Sequence, residues 1–170
     1  MSSVLAWWNG MSAEEAAEEI LPCCGSRSWA REMAARRPIR DEIALMAASQ
    51  EVCGRLSEAD WMEAFCSHPR IGEFAAKTSV SARSAAWSGQ EQESVSGAGD
   101  DIKTALEAGN RAYEERFRRI FIVCATGKTP KELLEILRQR LRNDERSEFQ
   151  EAAEQQRQIA QLRLRKWLQG

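Results

Sequence analysis

The chain has 170 residues, enough for one domain that buries about 70% of its unfolded surface and folds without disulfide or metal staples. Hydrophobic residues at 43%, charged residues at 29%, ten glycines and four prolines exclude collagenous, low-complexity and disordered classes. Lys and Arg number 24 against 26 Asp and Glu, a net charge of −2 that argues against a phosphate backbone as partner, so no nucleic acid is expected.

The first apolar run, Val4 to Trp8, has no basic residue before it and is too short for an export signal, and no apolar stretch approaches a membrane span. A cytoplasmic location and no membrane partner are expected. Ser12 with Glu15 forms a capping box opening a short helix over 13–21, closed by Pro22 and Gly25. Helices follow over 28–35 and 38–49, the second with Ile39, Ile43, Leu45 and Met46 on a stripe. Ser57 caps a helix through Asp60, Trp61, Ala64 and Phe65 that closes just before His68 and Pro69. Residues 72–87 are small and polar without a sustained period and read as a loop. Ser88 and Glu91 have capping-box spacing and predict a helix start, with Gly97 and Gly99 breaking it before a longer helix over 101–117. Ile120 to Ala125 is strand-like, but a single strand has nothing to pair with, so a buried helix end stopped by Gly127 is predicted. Thr129-Pro130-Lys131-Glu132 opens a helix carrying Leu133, Leu134, Ile136, Leu137 and Leu141 and ending at Asn143. The last helix spans about 147–168. With no repeat, linker or composition shift, residues 1–170 are expected to form one all-α domain, an irregular bundle of about eight helices.

A single histidine, His68, excludes metal sites built from two or three imidazoles, and the five cysteines include no C-x-x-C pair. No metal and no cofactor are expected, and an odd, unpatterned cysteine count fits reduced thiols. His68-Pro69-Arg70-Ile71-Gly72 puts a titratable group, a fixed φ, a cation and a glycine into five residues, a rigid helix exit able to hold an imidazole against a small ligand. The plain alternative is a helix-terminating turn. Ser88-Gly89-Gln90-Glu91-Gln92 reads equally as a cap or as a helix N-terminus that welcomes an anion. On the last helix, at about 100° per residue, Arg163 falls inside the apolar stripe of Phe149, Ala152, Ala153, Gln156, Ile159 and Ala160. A core-facing guanidinium must meet a carboxylate, with Glu91 a candidate, or a ligand.

Together with Phe121-Ile122-Val123-Cys124-Ala125-Thr126-Gly127-Lys128 and Leu162-Arg163-Leu164, these blocks closely resemble the ureidoimidazoline decarboxylases of urate breakdown, over about Met11 to Leu168. The resemblance implies 2-oxo-4-hydroxy-4-carboxy-5-ureidoimidazoline (OHCU) as small-molecule substrate, (S)-allantoin as product, no cofactor, an all-helical fold and a homodimer. It implies His68 as catalytic acid/base with Glu91 beside it. Pro69, Ser88, Gln92, Arg163 and the segment Phe121, Ile122, Val123, Cys124 and Ala125 then bind the substrate. One departure is Arg118, where many relatives carry glycine after the residue matching Phe117.

Overall fold

The structure, a computed structural model, describes residues 2–73 and 80–170. Among them the chain forms ten helices and no strand: α1 (Ser3–Asn9), α2 (Ala13–Cys24), α3 (Arg27–Ala35), α4 (Glu42–Cys53), α5 (Glu58–Cys66), α6 (Ala82–Glu91), α7 (Glu93–Ser96), α8 (Asp100–Phe117), α9 (Pro130–Arg140) and α10 (Glu145–Gln169). The architecture is all-α, as expected from the periodicity. Two compact units emerge, Met1–Ala64 with Arg157–Gly170, and Phe65–Gln156.

The first unit is built on tryptophan. It holds five of the six, Trp7, Trp8, Trp29, Trp61 and Trp167. Trp8 and Trp29 are fully buried, each contributing on the order of 1.5–3 kcal/mol or more of apolar burial. Their indole N–H groups are satisfied, Trp8 donating to the Ala16 carbonyl at 2.8 Å and Trp29 to the Ser49 hydroxyl at 3.3 Å. Trp167 meets Trp8 edge-on with centroids 5.6 Å apart. The run from Val4 to Trp8 is helical, because Leu5 and Trp8 bury one face of α1. α2 continues through Pro22 to Cys24 and then caps on Gly25 in the left-handed region (φ 85°). A proline there removes one hydrogen bond near the helix end, while buried Cys23 and Cys24 keep the last turn docked. α4 starts later than the stripe suggests, because the Asp41 carboxylate accepts from the Ala44 N–H at 2.8 Å and fixes the cap there.

The second unit packs α8 against α9 around Leu106, Tyr113, Phe117, Leu133 and Leu137. Gly109 allows that approach, since a Cβ on it would lie 2.5 Å from Leu137 Cδ2. Inside the same unit Glu148, fully buried, receives hydrogen bonds from the Tyr113 hydroxyl, from Arg140 Nε at 2.9 Å and from Asn143 Nδ2 at 2.9 Å. Burial and that carboxylate push the Tyr113 phenol well above its ordinary range.

Three local expectations are corrected. Ser88 does not start a helix: α6 begins six residues earlier, where Ser81 accepts from the Ser84 N–H at 3.1 Å, and Ser88 sits mid-helix on the buried face. A cap motif describes only a local match, and the upstream Ser81 opens the helix first. Residues 82–87 are consequently helix rather than loop; of the stretch read as loop, 74–79 lie outside the described residues. Ile120 to Ala125 is not a helix end either. It runs without helical bonds between α8 and α9, buried throughout.

Candidate active site

All the candidate site residues except Arg163 lie on three segments of the second unit. α5 ends at Cys66, and the chain turns with the His68 N–H donating to the Phe65 carbonyl at 3.2 Å. His68 and Pro69 are both buried there, as a rigid exit loop requires. Arg70 forks Nε and Nη2 onto both carboxylate oxygens of Glu114 on α8, the second at 3.0 Å, and reaches Glu73 with Nη1 at 3.0 Å. Asn110, one turn before Glu114, donates from Nδ2 to the Ile71 carbonyl at 2.9 Å. Gly72 takes φ of 94°, which an L side chain rarely adopts, and its N–H donates to Gln92 Oε1 at 2.8 Å.

That last bond brings the second segment to the first. Ser84, Ser88, Glu91 and Gln92 recur at helical spacing, so one face of α6 and its C-cap carries all four. Ser84, Ser88 and Gln92 are buried and Glu91 is half-buried. The third segment, 121–125, is tied in by packing: Ile71 of the loop, Val95 of α7, and Phe121, Val123 and Ala125 share one core cluster. The alternation of 121, 123 and 125 toward that cluster is the period of extended chain. With no sheet partner among the described residues, its backbone is bonded by side chains instead. Arg140 donates to the Ile122 carbonyl, Gln155 Oε1 accepts from the Cys124 N–H at 2.9 Å, and Lys128 Nζ donates to the Cys124 carbonyl at 2.7 Å. The Ser94 hydroxyl donates to the Lys128 carbonyl at 2.9 Å, joining α7 to the end of this segment.

Arg163 belongs to the first unit. It is fully buried on α10, as the apolar stripe predicts, and its Nη1 donates to the Pro22 carbonyl at 3.0 Å. Burial holds the neighbouring Cys24 thiol well above the ordinary thiol range, the nearby Cys53 adds to this, and the Arg163 charge opposes it. A cavity of about 790 Å³ opens on the α8 side of the loop, lined by Arg70, Gly72, Asn110 and Glu114. Of the expected site residues it borders only Gln92, and neither His68 nor Ser88 faces it.

The OHCU decarboxylase family model matches residues 9–165. The chain belongs to the OHCU decarboxylase family. It is 31% identical over 164 residues to the uric acid degradation bifunctional protein TTL of Arabidopsis thaliana, covering 92% of this chain and 48% of that protein. It is 26% identical over 160 residues to the uric acid degradation bifunctional protein of Bacillus sp. (strain TB-90), covering 92% of this chain and 30% of that one. The chain thus spans half or less of the curated relatives it matches. The solved structure of an OHCU decarboxylase in the presence of (S)-allantoin superposes with a TM-score of 0.76 at 27% identity, over 90% of this chain and 99% of that one. An (S)-allantoin synthase structure, at 20% identity, shares the fold with a TM-score of 0.70 over 96% of this chain and 53% of that one.

Several residues that hold these segments together carry no sequence motif. Asn110 and Glu114 show nothing but an i,i+4 spacing on α8. Arg140 was findable, because it continues the buried stripe of Leu133, Leu134 and Leu137 on α9 and so poses the same question as Arg163.

Proposed function

We propose that this protein decarboxylates OHCU to (S)-allantoin without a cofactor. Membership of the OHCU decarboxylase family supports the reading, and the observation that carries it is a buried His68 on a loop bonded through Gly72 to Gln92 of α6. The substrate bears a carboxylate and a hydroxyl on one ring carbon beside a C=N unit. When the bond to CO2 breaks, its electron pair moves toward that unit, so the substrate supplies its own electron sink. His68 takes the hydroxyl proton as the carbonyl forms, the ring nitrogen that received the electron pair takes a proton from solvent, and a proton is added to one face of the ureido-bearing carbon. One imidazole can both accept and return a proton, so a single histidine serves both transfers.

Ser88 orients the ring, Glu91 and Gln92 hold the ureido arm, Arg163 fixes an anionic edge, and Pro69 with the backbone of 121–125 walls the pocket. This reading takes residues 1–170 as one catalytic domain, supported by a family model that runs across both compact units. It also takes the protein as a cytoplasmic homodimer. The five cysteines form no disulfide, in keeping with a reducing compartment.

The test is incubation with freshly generated OHCU, following (S)-allantoin by circular dichroism, with hydroxyisourate and allantoin as control substrates. Enantiopure allantoin from OHCU alone is the expected result. Turnover of a control, with OHCU decaying only at its spontaneous rate, would reject the proposal.

A further inference from the structure

His68 lies on a loop that α8 holds at two residues. Three consecutive loop residues are each held by a different side chain: Arg70 by Glu114, Ile71 by Asn110 and Gly72 by Gln92. Two of the three anchors, Asn110 and Glu114, stand one turn apart on one face of α8. Only Pro69, whose φ is fixed by its ring, separates the clamped residues from the imidazole. The fork of Arg70 onto Glu114 sets an orientation as well as a distance, because both carboxylate oxygens are engaged.

Asn110 bears on this most directly. It is buried, and its Oδ1 has no partner among the described residues while Nδ2 holds the Ile71 carbonyl. Burying half an amide unsatisfied costs stability, and an apolar side chain of the same size would avoid that cost. The one hydrogen bond this side chain makes among the described residues is to the loop.

We infer that Asn110 and Glu114 are positioning residues that hold the His68 loop in its working orientation, a role resting on the decarboxylase reading above. Neither is among the residues assigned to the substrate above, although both line the same cavity as Gln92. A misplacement of about 1 Å costs on the order of 100-fold in rate, so loosening the clamp acts on kcat while the binding groups remain in place.

The experiment pairs kinetics with a readout that does not depend on turnover. His68 is the sole histidine, so its imidazole gives one assignable set of proton and nitrogen NMR signals. In Asn110→Leu, the lost bond to Ile71 is offset by removal of the unpartnered Oδ1, and the melting midpoint is expected to move little. The expected kcat falls about 10- to 100-fold with KM within about threefold, and the imidazole signals shift or broaden. Glu114→Gln, at a half-buried position where folding is secure, keeps one acceptor for Arg70 and is expected to fall between Asn110→Leu and the parent. Unchanged imidazole signals and unchanged kcat in both variants would overturn the inference. A parent protein inactive on OHCU would reject the proposed reaction, and the imidazole signals alone would then decide whether α8 positions the loop.

Discussion

Arg118 follows Phe117 at the end of α8 with φ of 56° and ψ of 22°, a left-handed cap conformation that favours glycine. A non-glycine residue there costs roughly 1–2 kcal/mol, and the side chain is exposed, so little packing opposes its removal. Arg118→Gly is expected to stabilise the protein by about 1 kcal/mol, read as a higher urea midpoint with turnover unchanged. The departure seen in the sequence is therefore a backbone matter rather than a chemical one. At His68 the reverse holds. His68→Asn keeps a hydrogen-bonding side chain in the buried loop but cannot shuttle a proton, so turnover of OHCU is expected to vanish while the melting midpoint stays near that of the parent. Near-parent turnover would make the residue structural.

Among the elements, the caps at Ser12, Ser57 and Thr129 were legible, while the Ser88–Glu91 spacing misled and Asp144 went unread. Ser12 with Glu15 and Thr129 with Glu132 each form both bonds of the box, and Ser57 with Asp60 and Asp144 with Ser147 make the matching local bonds. Each carboxyl is held below its ordinary range: Glu15 chiefly by the Ser12 side chain, Asp60 by Ser28 and then Ser57, Glu132 by the Thr129 N–H and Asp144 by Ser147. A lowered carboxyl pKa means the folded state binds fewer protons than the unfolded one. The stabilisation is present above the ordinary carboxylate range and is lost as pH falls through it toward the lowered values. Urea midpoints are expected to drop from pH 7 to pH 3, and less steeply in a Ser12→Ala, Thr129→Ala double variant.

Features that depend on contact between distant segments were not legible. Gly109 resembles any glycine that weakens a helix, yet it lets α8 meet α9. Gly109→Ala gains about 1 kcal/mol of helix propensity but drives a methyl into fully buried Leu137, a clash worth roughly 1–3 kcal/mol, so net destabilisation is expected in thermal melts. Residues 120–125 misled for the same reason. Their β-branched run asked for a partner strand, and the partners are the side chains of Arg140, Gln155 and Lys128 from 4 to 31 residues away. Arg163 was legible because a charge on an apolar stripe stands out on its own helix.

Taken as a whole molecule, the chain has one histidine and a proposed substrate that accepts its own electrons. Turnover is expected to survive exhaustive EDTA treatment, and loss of activity restored by a divalent metal would count against cofactor-independent chemistry. The uneven distribution of tryptophan has an optical consequence. With five indoles in the first unit, four of them buried, the emission of the unfolding chain reports almost entirely on Met1–Ala64 and Arg157–Gly170. The second unit owns a single fluorophore of this kind, Trp87, and it stands on α6 immediately before Ser88. Trp87→Phe leaves the first unit's core untouched, so the emission it subtracts is that of one indole beside the proposed ligand, whose arrival can be watched apart from the melting of everything else.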